Sequence, residues 1–357
     1  MGIKAAIIGC GLMGDLHASA ILKNGGEPVC VVGSDEKSAA AFAGRWKIPQ
    51  HTDTLEQALE GDAQCIHICT PANVHYEMIR SALLHKKHVL CEKPLCLSPQ
   101  AAKELYEIAS EQQLVHAVGF NVRYHAACME MRKQVQSGQL GSLQMMHGAY
   151  LQEFHMLPAP YSWRYKPELA GSMRAVTEIG SHWMDLARFL SGREVEAVSA
   201  NFYQAAPERT LREGVMYPAL SEGADITVSS EDAAAITIRF SGNVFGSLLV
   251  SEISPGRVNR LSIELSGSEK SFSWCAEEPY TLLQGERGQG VCARIAPFGG
   301  GYQDTLVSMV GEVYNKIEDR TRSVQFADFY DGFVNAAICE AVYESAMHGG
   351  RWTDVRL

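Results

Sequence analysis

The chain has 357 residues, of which 46% are hydrophobic and 20% charged, and its formal net charge is −10 at pH 7. This length and this apolar share are typical of a globular protein with two or three domains. An excess of negative charge repels phosphate backbones and anionic lipid heads, so we expect no nucleic acid and no membrane as partners. We also expect no membrane span, because no run of about 18 apolar residues is present.

The first third of the chain alternates short apolar runs with helix-like stretches. Strands are predicted at residues 5–8, 29–32, 65–69, 88–91 and 115–118, and helices at residues 12–23, 36–46, 74–85 and 98–112. Ser98 and Pro99 form the N-cap and first-turn pair that favours the start of a helix. Strands that alternate with such helices indicate βαβ units around a parallel sheet. We predict an α/β domain over residues 1–124.

The remainder, residues 125–357, follows a different pattern. Strands are predicted at residues 142–152, 195–203, 233–240, 244–251, 260–266 and 271–275, and helices at residues 179–190 and 329–347. We interpret the polar stretch 207–230 as an exposed loop. Consecutive strands with short turns predict an α+β domain with an open, mainly antiparallel or mixed sheet. Because an open sheet face usually finds a partner, we expect a homodimer or homotetramer through this sheet.

Three glycines, Gly9, Gly11 and Gly14, form a G-x-G-x-x-G pattern between the first predicted strand and the first predicted helix. In dinucleotide-binding folds, the first glycine allows a tight turn, the second lets the backbone approach the pyrophosphate and the third allows close helix packing. The helix N-terminus offers N–H groups and a partial positive charge. We therefore predict a Rossmann domain that binds NAD or NADP, with Leu12 and Met13 also at the cofactor.

The segment after the second predicted strand leaves the choice between NAD and NADP open. An acidic residue about 20 positions after the glycine motif binds the ribose 2′-hydroxyl and selects NAD, and Asp35 is the candidate. However, Gly33 and Ser34 directly follow the strand, and Lys37 is close. Small uncharged residues beside a lysine would also tolerate the 2′-phosphate of NADP.

Cysteine and histidine usage points to a cytoplasmic protein without a metal. The ten cysteines lie far apart or within apolar runs, and no C-x-x-C pair occurs, so we expect reduced thiols. The N-terminus runs straight into a strand pattern, so we expect no signal peptide. The twelve histidines are scattered, and His182 has no second ligand at metal-binding spacing.

Four motifs carry a resemblance to a known family, and a Trp163-Arg164 pair precedes the last. The motifs are Gly9 to Gly14 continued to His17, Thr70-Pro71-Ala72-Asn73-Val74-His75, Glu92-Lys93-Pro94, and Glu178 to Asp185. In order and spacing, which cover nearly the whole chain, the sequence resembles the Gfo/Idh/MocA oxidoreductases. The resemblance implies a Rossmann domain over residues 1–124 and a substrate-binding and oligomerisation domain over residues 125–357. It also implies a catalytic set of Lys93, Glu178 and His182.

Elementary chemistry agrees with this set. Oxidation of an alcohol releases a proton as well as a hydride, and His182 has a suitable intrinsic pKa for a base. Glu178, four residues earlier, shares a helix face with His182 and would fix its tautomer. Lys93 follows a parallel strand, where its ammonium could stabilise charge on the substrate oxygen or, with a lowered pKa, act as the base itself. The Lys93–Pro94 bond is a candidate for the cis form.

Further residues are expected around the cofactor and the substrate. Thr70, Pro71, Asn73, His75, Glu92 and Lys93 are predicted at the cofactor, together with Ser34 and Asp35. The predicted substrate contacts are Lys93, Arg123, Trp163, Arg164, Arg174, His182 and Asp185, because sugars favour aromatic faces and fork-shaped donors. The chain departs from the family pattern in two places: Glu178 stands where aspartate is usual, and Ser172-Met173-Arg174 replaces a run of glycines.

These observations favour a dehydrogenase or reductase acting on a small-molecule sugar, inositol or related polyol. One alternative is an NAD-dependent glycosidase that oxidises a ring carbon transiently, eliminates the substituent and reduces the ring again. Another is a nucleotide-binding sensor without catalytic activity. The presence of Lys93, Glu178 and His182 argues against the sensor.

Overall fold

A computed structural model describes residues 2–219, 223–295 and 301–357. Its strands are, in chain order, β1 (Lys4–Ile8), β2 (Glu27–Val32), β3 (Gln50–Thr52), β4 (Cys65–Ile68), β5 (His88–Cys91), β6 (His116–Val118), β7 (Leu143–Leu151), β8 (Ala159–Pro160), β9 (Val195–Tyr203), β10 (Glu208–Arg212), β11 (Val215–Pro218), β12 (Ile226–Thr227), β13 (Ala233–Phe240), β14 (Val244–Ser251), β15 (Arg260–Gly267), β16 (Lys270–Cys275), β17 (Thr281–Glu286), β18 (Gly290–Ile295) and β19 (Thr353–Asp354).

Its α-helices are, in the same order, α1 (Leu12–Lys23), α2 (Glu36–Trp46), α3 (Leu55–Glu60), α4 (His75–Leu84), α5 (Pro99–Glu111), α6 (Ala126–Gln136), α7 (Pro167–Ala170), α8 (Ser181–Ser191), α9 (Tyr302–Glu318) and α10 (Phe329–Met347). The chain forms two compact units, the first made of Met1–Tyr124 and Gly300–Ala336, the second of His125–Gly299 and Ala337–Leu357. The predicted domain boundary at residue 124 stays a prediction.

The first unit is built on a parallel sheet of six strands in the order β3-β2-β1-β4-β5-β6. All of its strand pairs are parallel, and β1 lies between β2 and β4. The strand order reverses between β1 and β4, and in such sheets ligands bind at the carboxyl ends of the strands beside this reversal. The predicted Rossmann fold is confirmed.

Helix α9 completes the core of this unit, although it lies far along the chain. Its buried residues Met309, Val310 and Val313 belong to the same hydrophobic cluster as Ile7 of β1 and Ile21 of α1. The Asn121 side chain also donates a hydrogen bond of 2.7 Å to the Thr305 hydroxyl. The sequence pattern alone did not predict this return of the chain.

The second unit is built on a mixed sheet of nine strands in the order β18-β17-β16-β15-β7-β14-β13-β9-β19. The β7–β14 pair is parallel and its other pairs are antiparallel, so the predicted open mixed sheet is confirmed. Alternating residues of β14, such as Leu248 and Val250, are buried, whereas Phe245 and Leu249 are exposed. This alternation is expected of a sheet that is covered on one face.

A small antiparallel sheet of four strands, β12-β10-β11-β8, lies in the second unit. The interpretation of residues 207–230 as an exposed loop is therefore wrong for β10, β11 and β12. Met216 and Val228 form a small buried cluster with Ala159 and Tyr165. Arg209 is also buried, because its guanidinium pairs with Asp232 at 3.1 Å. A polar composition does not exclude burial when an ionic partner is available.

Two further predictions concern the chain as a whole. Within the part of the chain that the structure describes, no helix has the length and apolar character needed to cross a bilayer. All ten cysteines have free thiols, and Cys292 is exposed. Free thiols are typical of proteins in a reducing compartment.

Two helical glycines of the first unit provide a matched test of the turn after β1. A Cβ added to Gly14 would lie 2.2 Å from the carbonyl oxygen of Gly9, whereas one added to Gly44 would meet nothing within 4 Å. We expect Gly14→Ala to lower the free energy of unfolding by about 1–3 kcal/mol or more, because backbone must move. Gly44→Ala should raise it by about 0.4–1 kcal/mol. Urea unfolding of both variants measures this difference, and equal stabilities would contradict the close approach.

Candidate active site

The turn between β1 and α1 is shaped to receive a phosphate. Gly9 has φ = 112°, and a side chain there would collide with the carbonyl oxygen of Cys69. Gly11 precedes α1, no side chain caps this helix end, and a Cβ on Gly11 would meet nothing within 4 Å. Leu12 is 74% exposed and Met13 is half-buried. An open, uncapped helix start with close backbone approach fits the pyrophosphate of a dinucleotide.

Asp35 follows β2 and is exposed. Its Oδ1 accepts a hydrogen bond of 2.8 Å from the backbone N–H of Ser38, which caps α2, and its Oδ2 accepts one of 3.1 Å from the Ser34 hydroxyl. These hydrogen bonds, that from the Ser38 backbone most of all, lower the pKa of Asp35. The carboxylate therefore carries its negative charge where the ribose of a dinucleotide is expected.

The segment after β4 contains the predicted residues Thr70, Pro71, Asn73 and His75. Thr70 and Pro71 are half-buried, and Asn73 is exposed. The His75 ring is buried and lies between two carbonyl oxygens, with Nε2 at 2.8 Å from that of Thr70 and Nδ1 at 2.9 Å from that of Pro94. His75 thus connects the ends of β4 and β5, and its predicted contact with the cofactor stays a prediction.

The Glu92-Lys93-Pro94 motif directly follows β5. Glu92 is buried, its Oε1 lies 3.0 Å from Nε2 of His17, and Lys93 is half-buried. The Lys93–Pro94 peptide bond is cis, as predicted. The structure therefore holds the residues on both sides of Lys93 through histidine rings: His17 contacts Glu92, and His75 contacts Pro94.

Arg123 is buried within the first unit. Its guanidinium donates to the Asp331 carboxylate at 2.9 Å and to the carbonyl oxygen of Gln325 at 3.2 Å. It thereby ties the segment that follows α9 to the end of the sheet. Its predicted contact with the substrate stays a prediction.

In the second unit, Glu178 lies in a short π-helix, Val176–Gly180, that leads directly into α8. The prediction of an α-helix from residue 179 was therefore correct for most of its length, but the first turn is wider than expected. Turns of π-helix inside helices frequently occur at functional sites. His182 and Asp185 lie on α8, both are buried, and the His182 ring centroid is 6.3 Å from that of Tyr150.

Arg164 brings the Trp163-Arg164 pair next to Glu178. Its Nε lies 3.5 Å from Oε2 of Glu178, and its guanidinium carbon lies 4.7 Å from the centre of the Trp163 ring. Arg164 and Trp163 are half-buried. The structure thus joins three predicted site residues of the second unit into one polar and aromatic group.

Arg174, predicted as a substrate contact, has a completely buried side chain. Its guanidinium pairs with Asp232, and its Nε lies 2.8 Å from Oε2 of Glu252. Its backbone N–H donates to Glu231 at 3.1 Å, and its carbonyl oxygen accepts from the N–H of Glu178 at 2.7 Å. Arg174 therefore anchors the helical turn that carries Glu178, while its contact with substrate stays a prediction.

Charge does not balance in this buried group. Three carboxyl groups, of Glu231, Asp232 and Glu252, face two guanidinium groups, of Arg174 and Arg209, and all five residues are buried. Burial raises the pKa of Glu231 to about 7 and that of Glu252 to about 8, and the charge of Glu178 adds to the shift of Glu252. Since Glu231 accepts backbone hydrogen bonds from Arg174 and Val176, Glu252 is the better place for the extra proton.

His155 and Tyr165 extend this group, and the sequence analysis missed them. The Tyr165 hydroxyl lies 2.5 Å from Nδ1 of His155, whose Nε2 is 3.8 Å from Oε1 of Glu252. Burial, followed by the charges of Arg174 and Arg164, lowers the pKa of His155 to about 3. Glu252 and His155 follow the ends of β14 and β7, which are parallel neighbours with Leu151 beside Ser251. Only knowledge of that pairing could have brought them together.

The buried proton of Glu252 predicts a specific pH dependence of stability. Because the folded-state pKa lies above the unfolded value near 4.5, the native protein binds more protons between pH 4.5 and 8. The contribution of Glu252 to stability is therefore fully present below pH 4.5 and is lost as the pH rises from there through 8. In the wild type, this proton should lower the free energy of unfolding by up to about 1.4 kcal/mol for each pH unit between pH 4.5 and 8. Glu252→Gln should lack this decrease. Urea unfolding at several pH values measures both slopes.

An exposed carboxylate provides the control for net charge. Glu168 lies on α7 and is exposed, so Glu168→Gln makes the same change of side chain at a position in contact with water. The slope of the unfolding free energy against pH should match that of the wild type in this variant. A wild-type slope in Glu252→Gln would show that Glu252 is ionised throughout the range.

Across the described ranges, no group of three or more His, Cys, Asp or Glu residues is arranged to hold a metal ion.

The chain matches two family models: "Oxidoreductase family, NAD-binding Rossmann fold" over residues 3–120, and "GFO/IDH/MocA C-terminal domain" over residues 128–273. The Rossmann unit and the open turn at Gly9, Gly11 and Gly14 agree with the first match.

Similar proteins match the chain over its whole length. A levoglucosan dehydrogenase of Pseudarthrobacter phenanthrenivorans is 29% identical over 99% of this chain and 98% of its own, and an inositol 2-dehydrogenase of Saccharopolyspora erythraea is 25% identical over 98% and 94%. Among solved structures, an oxidoreductase domain protein from Kribbella flavida has a TM-score of 0.90 at 25% identity, covering 100% of both chains. A levoglucosan dehydrogenase solved with NADH and levoglucosan has a TM-score of 0.89 at 26% identity with the same coverage. The chain belongs to the Gfo/Idh/MocA family of NAD-binding oxidoreductases.

Proposed function

We propose that this protein is an NAD-dependent dehydrogenase or reductase that interconverts a secondary alcohol and a ketone on a sugar, inositol or related polyol. The observation that carries the proposal is the presence of Lys93, Glu178 and His182 in a chain similar, from end to end, to sugar and inositol dehydrogenases. The ten free cysteines support a cytoplasmic location.

The preference for NAD over NADP rests on Asp35. Its carboxylate is exposed and keeps its charge, because the Ser38 backbone and the Ser34 hydroxyl donate to it and lower its pKa. A carboxylate accepts hydrogen bonds from a ribose 2′-hydroxyl and repels a 2′-phosphate. The solved relative with NADH supports the same choice. When bound, NAD supplies the acceptor for the hydride, and the residues of this chain handle the proton.

The proton of the substrate hydroxyl passes, in this proposal, to His182, and Glu178 stabilises the resulting charge. Glu178 itself is held by the Arg174 carbonyl oxygen through its N–H and lies beside the Arg164 guanidinium. The ammonium of Lys93 donates a hydrogen bond to the substrate oxygen and stabilises the negative charge that develops there. The histidine contacts of Glu92 and Pro94 restrict the backbone on both sides of Lys93.

The remaining predicted substrate residues divide by their surroundings. Trp163 and Arg164 are partly accessible, and we assign them to the sugar face and its hydroxyl groups. Arg174 and Arg123 are buried, and their guanidinium groups form ion pairs with Asp232 and Asp331. We therefore assign both arginines a structural role in the segments around the site. Asp185 is buried on α8, close in sequence to His182, and we assign it to positioning.

Activity tests of Lys93 check the proposal directly. A panel of anhydrosugars, inositols, sugars and their keto derivatives, each with NAD and NADP, is followed through the absorbance of the reduced nicotinamide. We expect turnover with NAD, and a loss of about 10²-fold or more in kcat/KM for Lys93→Ala, because a donor to the developing charge is removed.

Lys103 on α5 provides the matched control, since it is an exposed lysine of the same unit. Lys103→Ala should keep the wild-type rate on the same substrate. Turnover that survives in Lys93→Ala would overturn the catalytic role of Lys93. With a chromogenic glycoside as a further substrate, release of the aglycone without net change in reduced nicotinamide would replace the dehydrogenase by the glycosidase.

The open face of the nine-stranded sheet supports the proposed homo-oligomer. Phe245 is 52% and Leu249 49% exposed, and they share this face with Met145 and Leu283. Apolar residues grouped on an uncovered sheet face are typical of association surfaces. We propose a homodimer or homotetramer that buries this face.

Charged substitutions on this face test the oligomer. The double variant Phe245→Lys with Leu249→Lys should sediment as a monomer at concentrations where the wild type is a dimer or tetramer, because burying two ammonium groups costs several kcal/mol. Leu84→Lys is the control, since Leu84 is 51% exposed on α4 of the first unit. An unchanged assembly in the double variant would exclude this face as the interface.

A further inference from the structure

A buried chain of hydrogen bonds runs through the first unit from α9 to the Glu92-Lys93-Pro94 motif. The Tyr314 hydroxyl lies 2.9 Å from Nε2 of His67, and Nδ1 of His67 lies 2.8 Å from Nδ1 of His17. Nε2 of His17 then lies 3.0 Å from Oε1 of Glu92. All four residues are buried. Two histidine rings thus connect the Tyr314 hydroxyl with Glu92, the residue next to Lys93.

The donors and acceptors available at each group give this chain of hydrogen bonds a single direction. The contact between the two Nδ1 atoms needs one donor and one acceptor, so the two rings must have opposite tautomers. A carboxylate at Glu92 only accepts, so His17 carries its proton on Nε2 and accepts at Nδ1. His67 must then donate from Nδ1 and accept at Nε2, where the Tyr314 hydroxyl donates.

The opposite direction leaves a group unsatisfied. It would require a proton on Glu92 or a second proton on His17, and in both cases Nε2 of His67 would donate to the Tyr314 oxygen. Among the described residues, the Tyr314 hydroxyl has His67 as its hydrogen-bond partner, so its own proton would then have no acceptor. A buried donor without an acceptor loses its hydrogen bonds to water and gains none in return, so this direction is disfavoured.

Burial favours the same direction. It raises the pKa of the Tyr314 hydroxyl, with a further contribution from Cys65, and it lowers the pKa of His67. Tyr314 therefore keeps its proton, and His67 stays neutral with one N–H. A second proton on His17 would make both Nδ1 atoms donors, and a second proton on His67 would place a donor on Nε2 opposite the donating Tyr314 hydroxyl.

Packing confines the carboxyl group at the end of the chain. A Cβ added to Gly119 would lie 2.8 Å from Oε1 and 3.0 Å from Oε2 of Glu92, so only glycine leaves room for the carboxylate. The Gly119 N–H is in turn held by the Cys91 carbonyl oxygen at 2.8 Å. Glu92 therefore has one position, set by His17 on one side and by Gly119 on the other.

We propose that Tyr314, His67 and His17 are positioning residues, which orient the Glu92 carboxylate through a one-directional hydrogen-bond chain and thereby fix the backbone that presents Lys93. The catalytic consequence rests on the proposed role of Lys93, whereas the direction of the chain does not. Helix α9 thus controls the geometry of the motif through its tyrosine hydroxyl.

Nitrogen NMR of the histidine side chains tests the direction without any activity measurement. In protein carrying ¹⁵N-labelled histidine, His17 should show the Nε2–H tautomer and His67 the Nδ1–H tautomer, with a scalar coupling between their Nδ1 nitrogens across the hydrogen bond. The single variants His17→Gln and His67→Gln assign the two rings among the twelve histidines. The same tautomer in both rings, or each in the opposite form, would overturn the proposal.

Removal of one hydroxyl tests the effect on Lys93. In Tyr314→Phe, Nε2 of His67 loses the hydroxyl that donates to it. We therefore expect the Nε2 resonance of His67 to shift, while the Glu92 carboxylate keeps both tautomers as in the wild type. We also expect kcat to fall by about tenfold with the KM for NAD almost unchanged, because small displacements of a catalytic group are costly. Tyr106→Phe is the control, since the Tyr106 ring contacts His116 with centroids 6.0 Å apart but lies outside the chain of hydrogen bonds.

The outcomes separate the two proposals. A wild-type Nε2 resonance of His67 and a wild-type kcat in Tyr314→Phe would overturn the positioning role, even if Lys93→Ala is inactive. If the expected tautomers are observed but Lys93→Ala is fully active, the proposed function is overturned. The hydrogen-bond chain would then still have its proposed direction but no effect on catalysis through Lys93. A loss of kcat in Tyr106→Phe equal to that in Tyr314→Phe would show a general packing effect and would also overturn the positioning role.

Discussion

The reversal of strand order between β1 and β4 is the constraint on which the rest of the first unit depends. Parallel strands on both sides of this point end at the same edge of the sheet, so the segments after β1, β4 and β5 become neighbours. The close approach of Gly9 to Cys69 and the His75 contacts with Thr70 and Pro94 follow from that arrangement. Backbone turns, instead of long side chains, therefore shape the place where the dinucleotide is expected.

The second unit solves a different problem, which is to hold charged side chains away from water. Arg174 and Arg209 form ion pairs with Asp232 and Glu252, and the Tyr165 ring lies 4.6 Å and 5.2 Å from the two guanidinium carbons. Such a group gains little net stability, because the desolvation of the ions offsets their attraction. What it supplies is a fixed direction for the turn that carries Glu178.

Local patterns were sufficient where neighbours in sequence are also neighbours in space. The ranges of α1, α2, β9, β13, β14 and α10 agree with the prediction, and the Ser98 side chain caps α5 as expected. Local patterns were not sufficient where the partner is distant in sequence. The polar surroundings of Arg209 predicted exposure, and Glu252 lies near His155 only because β14 pairs with β7. The candidate motifs were visible in sequence, but the side chains that hold Arg174 and Glu92 were not, because no local signal reports a partner 58 or 75 positions away.

Helix α9 has a consequence for the order in which the protein acquires its structure. Leu306, Met309, Val310, Val313 and Tyr314 belong to the same buried cluster as the residues of β1 and α1. A ribosome must therefore add most of the chain, including eight of the nine strands of the large sheet of the second unit, before the nucleotide-binding unit can close its core. Until then the first unit exposes the apolar surface that α9 will cover. Docking of α9 also costs the conformational entropy of closing a very long loop. The nucleotide-binding unit, although first in sequence, is completed late in synthesis.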